Sequence, residues 1–293
     1  MALVQRNIDL QLRLGTGSFG DTGFNTIDIT GLRIKAEITA AGGETMGRAE
    51  VRVYGLSLST MNQVTTLTPG LMLQRNNTLA ITAGDDVSGM ATVFQGTISD
   101  SESEMELNSQ PDTYLKLTAY AGYFQKIQPI APSSYPGTTD VGTIMASLAN
   151  QMGLIFENNG VTETLSTPYF PGTAFEQVRS CAFAANINWA IDNGILAIWP
   201  KGGSRGNQLP IISTATGMVG YPAIWSQGIS VKTLFNPQIS IGNLVQVQSQ
   251  IPAACGEWFV SSVSHNLESL ELNGQWFTSF LGAPEQNSNS VVR

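Results

Sequence analysis

Several residue groups in this chain have types and spacings that could carry chemistry. Gly15-Thr16-Gly17-Ser18-Phe19-Gly20 fits G-x-G-x-x-G, a loop that brings backbone amides to a pyrophosphate when a helix follows at once. Here residues 21–32 bring more glycine, a β-branched pattern and no helical period, so a glycine-rich hairpin turn is the expectation. His265 is the single histidine, with Ser262 and Ser264 nearby. A hydrolase triad needs that imidazole oriented by a carboxylate and placed against a nucleophile. These serines lie on a strand-like run and no G-x-S-x-G elbow exists, so His265 is expected at a strand end, facing solvent or a neighbouring subunit. Asp100, Glu102, Glu104 and Glu106 alternate. A carboxylate pair could cleave glycosides, but alternation with Ser101, Ser103 and Met105 reads as a solvated strand face. Asp85-Asp86 beside Gly84 is a turn signature before it is a calcium site. Lys201-Gly202-Gly203-Ser204-Arg205-Gly206 could touch phosphate, yet as a glycine-rich exit loop it needs no ligand. One histidine with two separated cysteines, Cys181 and Cys255, falls short of the three or four ligands of a zinc site. The expectation is no catalytic, cofactor-binding or metal-binding residues, and no cofactor.

The elements that would position these groups are mainly strands. Residues 7–14 alternate, with Ile8, Leu10, Leu12 and Leu14 on one side, as do residues 32–39. Residues 49–54 form a further strand, and Gly42-Gly43 and Pro69-Gly70 punctuate as turns. Pro129, Pro132 and Pro136 mark a linker over 125–137. Beyond it the period changes. Residues 140–152 predict a helix capped by Thr139 or Asp140 and stopped at Gly153. Residues 154–156 are a short strand, and 174–185 a second helix, whose Thr173 and Glu176 have capping-box spacing. Asn193-Gly194 between apolar runs predicts a hairpin, because both residues tolerate positive φ. Residues 201–206 read as a flexible exit.

A small β unit occurs twice. Strand-like runs at 49–54, 79–82, 91–100 and 114–118 are matched by runs at 229–234, 244–247, 257–265 and 276–280. His265 then occupies the place of Asp100, and longer loops are expected in the first copy, at 57–69 and 85–89. Three chains with two such units each could close a ring of six similar positions. The division expected is 1–126 as a first β-barrel-like domain, 127–203 as a small α+β domain, and 204–293 as a second β-barrel-like domain ending in a frayed tail.

Composition narrows the class. Charged residues are 12% of 293, about half the usual share, which suits large buried interfaces, since charge is depleted at interface cores. Net charge is −8 with no Lys/Arg cluster, which disfavours stable nucleic-acid binding. The first 13 residues lack the apolar core of a signal peptide, and no run approaches the roughly 18 apolar residues of a membrane span. Folding in a cytoplasm without membrane insertion is expected. The five tryptophans fall mainly on strands, where core and interface roles are the default.

Residues 195–282 carry a resemblance. Ile195-Leu196-Ala197-Ile198-Trp199-Pro200-Lys201, Ile211-Ile212-Ser213, Thr216-Gly217-Met218-Val219-Gly220-Tyr221-Pro222, Leu234-Phe235-Asn236-Pro237, Ile241-Gly242 and Gly256-Glu257-Trp258 resemble the baseplate hub proteins of contractile-tailed bacteriophages. The resemblance implies a structural virion protein, mainly β with a small inserted α+β domain. Its two barrel-like domains per chain would form a pseudo-six-fold ring as a homotrimer, seated between a six-fold tail tube and a three-fold central spike and contacting baseplate wedge or other tail proteins. Its location would be the virion tail, after assembly in the host cytoplasm. The family implies no shared active site. The alternatives are the hub of a non-contractile tail tip or of a type VI secretion-like device, a tail-associated cell-wall or polysaccharide hydrolase, and a carbohydrate-binding β module.

Overall fold

A computed structural model describes residues 5–20, 23–64, 76–99, 102–107, 112–206 and 208–284. The Pro69-Gly70 turn, Asp100 and the tail beyond residue 284 lie outside the described residues. The chain divides into two compact units. The first comprises Met1–Thr39, Arg48–Ala121 and His265–Phe277; the second comprises Ala40–Gly47, Gly122–Ser264 and Thr278–Arg293.

The first unit is a sheet built from β1 (Arg6–Arg13), β2 (Thr26–Ile29), β3 (Ile34–Ala41), β4 (Arg48–Tyr54), β5 (Thr78–Asp85), β6 (Gly89–Ile98), β7 (Glu104–Glu106) and β8 (Tyr114–Tyr120). Their order is β2-β1-β5-β6-β8-β4-β3, with β7 on β8. The alternation predicted for residues 7–14 fixes the faces: Ile8, Leu10 and Leu12 are fully buried, as are Ile34, Ala36, Ile38, Val51, Val53, Leu79, Ile81, Leu115 and Leu117. One slip of register would expose every one of these side chains. The expected loop over 57–69 contains a helix, α1 (Leu58–Val64). Ser57 Oγ caps it by accepting the Thr60 N–H (3.1 Å), and Met61 and Val64 anchor it in the core.

After Gly122 the second unit holds a short helix, α2 (Tyr123–Ile127), which overlaps the start of the linker expected over 125–137. It then holds the α+β elements: β9 (Ser133–Ser134), β10 (Thr138–Asp140), α3 (Val141–Met152), β11 (Ile155–Asn158), β12 (Thr164–Ser166), β13 (Tyr169–Phe170), α4 (Ala174–Ala184), β14 (Ile187–Asp192) and β15 (Ile195–Pro200). Local signals account for these. Asp140 accepts the Thr143 N–H at 2.8 Å and Gly153 closes α3 at φ 68°. Thr173 and Glu176 form the reciprocal capping box of α4. Asn193 and Gly194 sit at φ 50° and 76°, the two positive values of a type I′ turn. The remaining strands are β16 (Ile211–Ile212), β17 (Ala223–Trp225), β18 (Gly228–Leu234), β19 (Leu244–Val247), β20 (Gly256–Ser269) and β21 (Trp276–Ala283). A single core joins the hairpin β14–β15 to the later strands: Ala190, Ala197 and Trp199 cluster with Ile229, Val231, Ile241, Val260 and Phe280.

The two copies of the β unit have one strand order. In the first, β4 pairs β8, β8 pairs β6, and β6 pairs β5. In the second, the order runs β18, β21, β20, with β19 on the far side of β20. Numbering the strands of each copy in chain order, both read first, fourth, third, second.

Candidate interaction surface

The residues with chemical potential are scattered by the fold. Gly15 donates its N–H to the Asn77 side-chain oxygen (3.0 Å), Phe19 is buried, and the next element is the strand β2, not a helix. The segment is a turn packed on its own sheet. Asp85 accepts the N–H groups of Val87 and Ser88 (2.9 and 2.6 Å), which makes it a turn former. Glu102 accepts the Tyr120 hydroxyl (2.8 Å) and Glu104 pairs with Lys116 (3.1 Å), so each acid has a structural partner. Among the described residues no group of three or more His, Cys, Asp or Glu is placed to hold a metal. No helix among them is long and apolar enough to cross a membrane. Cys181 is buried, with burial pushing its thiol up to about 12, and Cys255 is exposed.

His265 is not at a strand end. It lies within β20, 7% exposed, on the inward face shared by Val263, Leu267 and Ser269. The match to Asp100 misplaced it because β20 runs on to Ser269, and the turn comes at 270–275 instead of through Glu268. Burial lowers its pKa from 6.5 to about 4. Because the folded value is the lower one, the unfolded chain binds the proton first as pH falls. The contribution to stability is complete above pH 6.5 and is lost between 6.5 and 4, about 3 kcal/mol for a shift of this size. Thermal melts of wild type against His265→Gln should diverge across that window; parallel curves would show that the imidazole does not titrate there.

The exit loop after β15 is clamped, not flexible. The Arg205 side chain bonds Glu157 on β11 through Nε and Nη2 (3.2 and 3.3 Å) and Asp192 on β14 through Nη1 (3.2 Å). Its backbone N–H donates to the Gly242 carbonyl (2.7 Å). Burial pushes the Asp192 carboxyl up against the opposing pull of Arg205. Glu157 is held below its usual value, because its bonds from Arg205 and Asn159 outweigh its own burial.

Two surfaces remain as candidates for contact. On the polar face of the first unit, Lys35 stands opposite Arg52 and Arg52 opposite Lys116. Carboxylates relieve this row of like charge: Glu268 on Lys35 (3.2 Å), Glu50 on Arg52 and Arg48 (3.1 and 3.0 Å), and Glu104 on Lys116. In the second unit Val219, Tyr221, Ile224, Trp225 and Leu234 are exposed around β17. Neither this apolar surface nor the Arg205 clamp was picked out from the sequence. A signal for the surface does exist: residues 206–231 contain no Asp, Glu, Lys, Arg or His.

The family model described as baseplate hub gp41 matches residues 16–277. The chain belongs to the baseplate hub gp41 family. The resemblance read from residues 195–282 is thereby confirmed over most of the chain, and family membership makes this a structural component of a bacteriophage tail. A comparison with curated proteins gave no match. Solved structures share the fold. The 43 kDa tail protein of prophage MuSo2 from Shewanella oneidensis is 13% identical, covering 95% of this chain and 98% of that one at a TM-score of 0.59. A tail protein from Neisseria meningitidis MC58 is 9% identical, with 94% and 96% covered at 0.61. The Escherichia coli c3393 protein is 10% identical, with 87% and 74% covered at 0.54. That protein is described as a type VI secretion component with structural similarity to the T4 tail proteins gp27 and gp5.

Proposed function

We propose that this baseplate hub works as a homotrimeric adaptor between a six-fold tail tube and a three-fold central spike, within a tail assembled in the host cytoplasm. The observation that carries the reading is the repeated strand order of residues 48–120 and 228–283. Three chains with two equivalent units offer six similar positions to a tube and three identical ones to a spike. The division into 1–126, 127–203 and 204–293 belongs to this reading, with the outer parts as the ring-forming, barrel-like pieces. Low charge and the exposed apolar surface of the second unit supply the kind of area that subunit contacts bury. Wedge or other tail proteins would surround the ring. A type VI-like device is the second reading, supported by the shared fold of the c3393 protein; a sheath and spike gene beside this one, without effector genes, favours the phage tail.

The adaptor has no catalytic work to do, and we infer that it has none. Incubation of the pure protein with cell-wall sacculi is expected to release no soluble fragments, for wild type and His265→Ala alike. Release that disappears on changing Glu102, Glu104 or Glu106 would replace the structural reading with a hydrolase. Oligomeric state tests the ring. Sedimentation at micromolar concentration should give about three times the 31.3 kDa of one chain, and a species of one chain only would contradict it.

A further inference from the structure

Asparagine is a thermolabile residue, and most so before glycine. The glycine nitrogen then reaches the asparagine side-chain carbonyl carbon with no Cβ in the way. The chain holds three such pairs, Asn159-Gly160, Asn193-Gly194 and Asn273-Gly274, and the fold treats them differently.

Two are restrained. Asn159 Nδ2 donates to Glu157 Oε1 (2.8 Å) and to the Ile198 carbonyl (3.3 Å), while its Oδ1 accepts the Gly206 N–H (3.0 Å). That amide is held at both ends. The side-chain oxygen of Asn193 is buried and has no hydrogen-bond partner among the described residues. Ring closure puts negative charge on this oxygen, and a buried anion without a donor is costly.

Asn273 has neither restraint. It is exposed at the tip of the turn between β20 and β21, beside Leu272 at 91% exposure. No hydrogen bond among the described residues holds its side chain. Its φ of 58° is the positive value that the third residue of a type II turn adopts. The Gly274 N–H closes that turn on the Glu271 carbonyl at 3.2 Å, a long bond and the one that must open before the nitrogen can swing onto Asn273. The turn also demands its glycine. A Cβ on Gly274 would stand 2.9 Å from the Cβ of Glu268, so crowding keeps the reactive pair together.

We propose that Asn273 is a modification site, the asparagine at which the folded chain deamidates first. The Gly274 nitrogen gives its proton to water and bonds to Cγ of Asn273. The Cγ–Nδ2 bond breaks, and the departing nitrogen takes a proton from water and leaves as ammonia. A second water opens the succinimide, at the backbone carbonyl to give isoaspartate or at the side-chain carbonyl to give aspartate. Water is the only co-reactant. The product places a new carboxylate on a turn that already carries Glu268 and Glu271, the partners of Lys35 and Arg33.

The test holds the folded full chain in mildly alkaline buffer and follows it by isoelectric focusing and peptide mass mapping. An acidic shift of one charge is expected, with the mass change of an amide becoming an acid on the peptide that contains Asn273. Labelling of that peptide by an isoaspartyl methyltransferase should identify the isoaspartate. The peptides of Asn159 and Asn193 should stay unchanged while it forms. In urea all three pairs should convert at similar rates. Asn273→Gln should abolish the first shift, and Asn273→Asp should start at the shifted position. Earlier conversion of Asn159 or Asn193 in the folded chain, or a first shift that survives Asn273→Gln, overturns the proposal. So does a lead for Asn273 that is equally large in urea, because local sequence would then set the order and the fold would not.

Discussion

Arg205→Ala is expected to lower the melting temperature by about 6–20 °C. Arg205 is 8% exposed, and its guanidinium is the shared partner of Glu157 and Asp192, two carboxylates on separate strands. Removing Arg205 leaves the buried Asp192 carboxyl without its ionic partner, at a cost of about 3–5 kcal/mol, while Glu157, a third exposed, keeps its bond from Asn159. For a body of this size each kcal/mol moves the melting temperature by about 2–4 °C. The same substitution keeps the backbone N–H of residue 205 on the Gly242 carbonyl, so the loss reports the side-chain clamp. The cause can be isolated. A triple variant Arg205→Met, Glu157→Met, Asp192→Leu removes the charges together and should regain most of the loss, since a buried ion pair replaced whole by apolar groups of similar volume is often neutral in stability. Equal losses in the single and triple variants would show that the clamp acts by packing alone.

Gly242→Ala is the second substitution with a large expected effect, about 2–5 kcal/mol. Gly242 lies at φ 81°, and a Cβ there would sit 2.6 Å from the Trp199 ring. The left-handed backbone costs a non-glycine residue about 1–2 kcal/mol, and forcing the indole aside adds about 1–3 kcal/mol. Trp199 is buried in the same cluster as Ile241 and Val260, so little room exists for relaxation. Pairing the change with Trp199→Leu should relieve the steric part and leave the backbone part. A Gly242→Ala protein that denatures at the wild-type urea midpoint would refute the close-packing argument. The Ile241-Gly242 and Trp199-Pro200 strings that suggested the family thus meet physically at this point.

Much of the fold was legible where a signal is local. The cap at Asp140, the αL stop at Gly153, the Thr173–Glu176 box and the Asn193-Gly194 turn each involve residues within a few positions of one another. The alternation of residues 7–14 and 32–39 predicted the buried face because a pleat alternates by geometry. α1 was passed over although Ser57, Met61 and Val64 carry a cap and a helical spacing, because the polar residues between them resemble a loop. What the sequence could not show depends on chain segments far apart meeting. Arg205 between glycines looks like a solvated cation until the fold brings Glu157 and Asp192 to it. His265 looked like a strand end because its burial depends on how far β20 continues beside its partners. Residues 265–277 join the first unit although they lie beyond the whole of the α+β segment, and no local pattern announces that return. The β17 surface was legible only as an absence of charge, which composition averaged over the whole chain conceals.

Counting copies in the assembled particle tests the adaptor most directly. In a reconstruction of the intact tail by electron cryo-microscopy, refined without imposed symmetry, this chain should form one ring of three copies. The two β units of each copy should alternate around it at six near-equivalent positions, directly between tube and spike. Six copies of the chain in that ring, or a ring in which only one of the two units lines the path of the tube, would contradict the account.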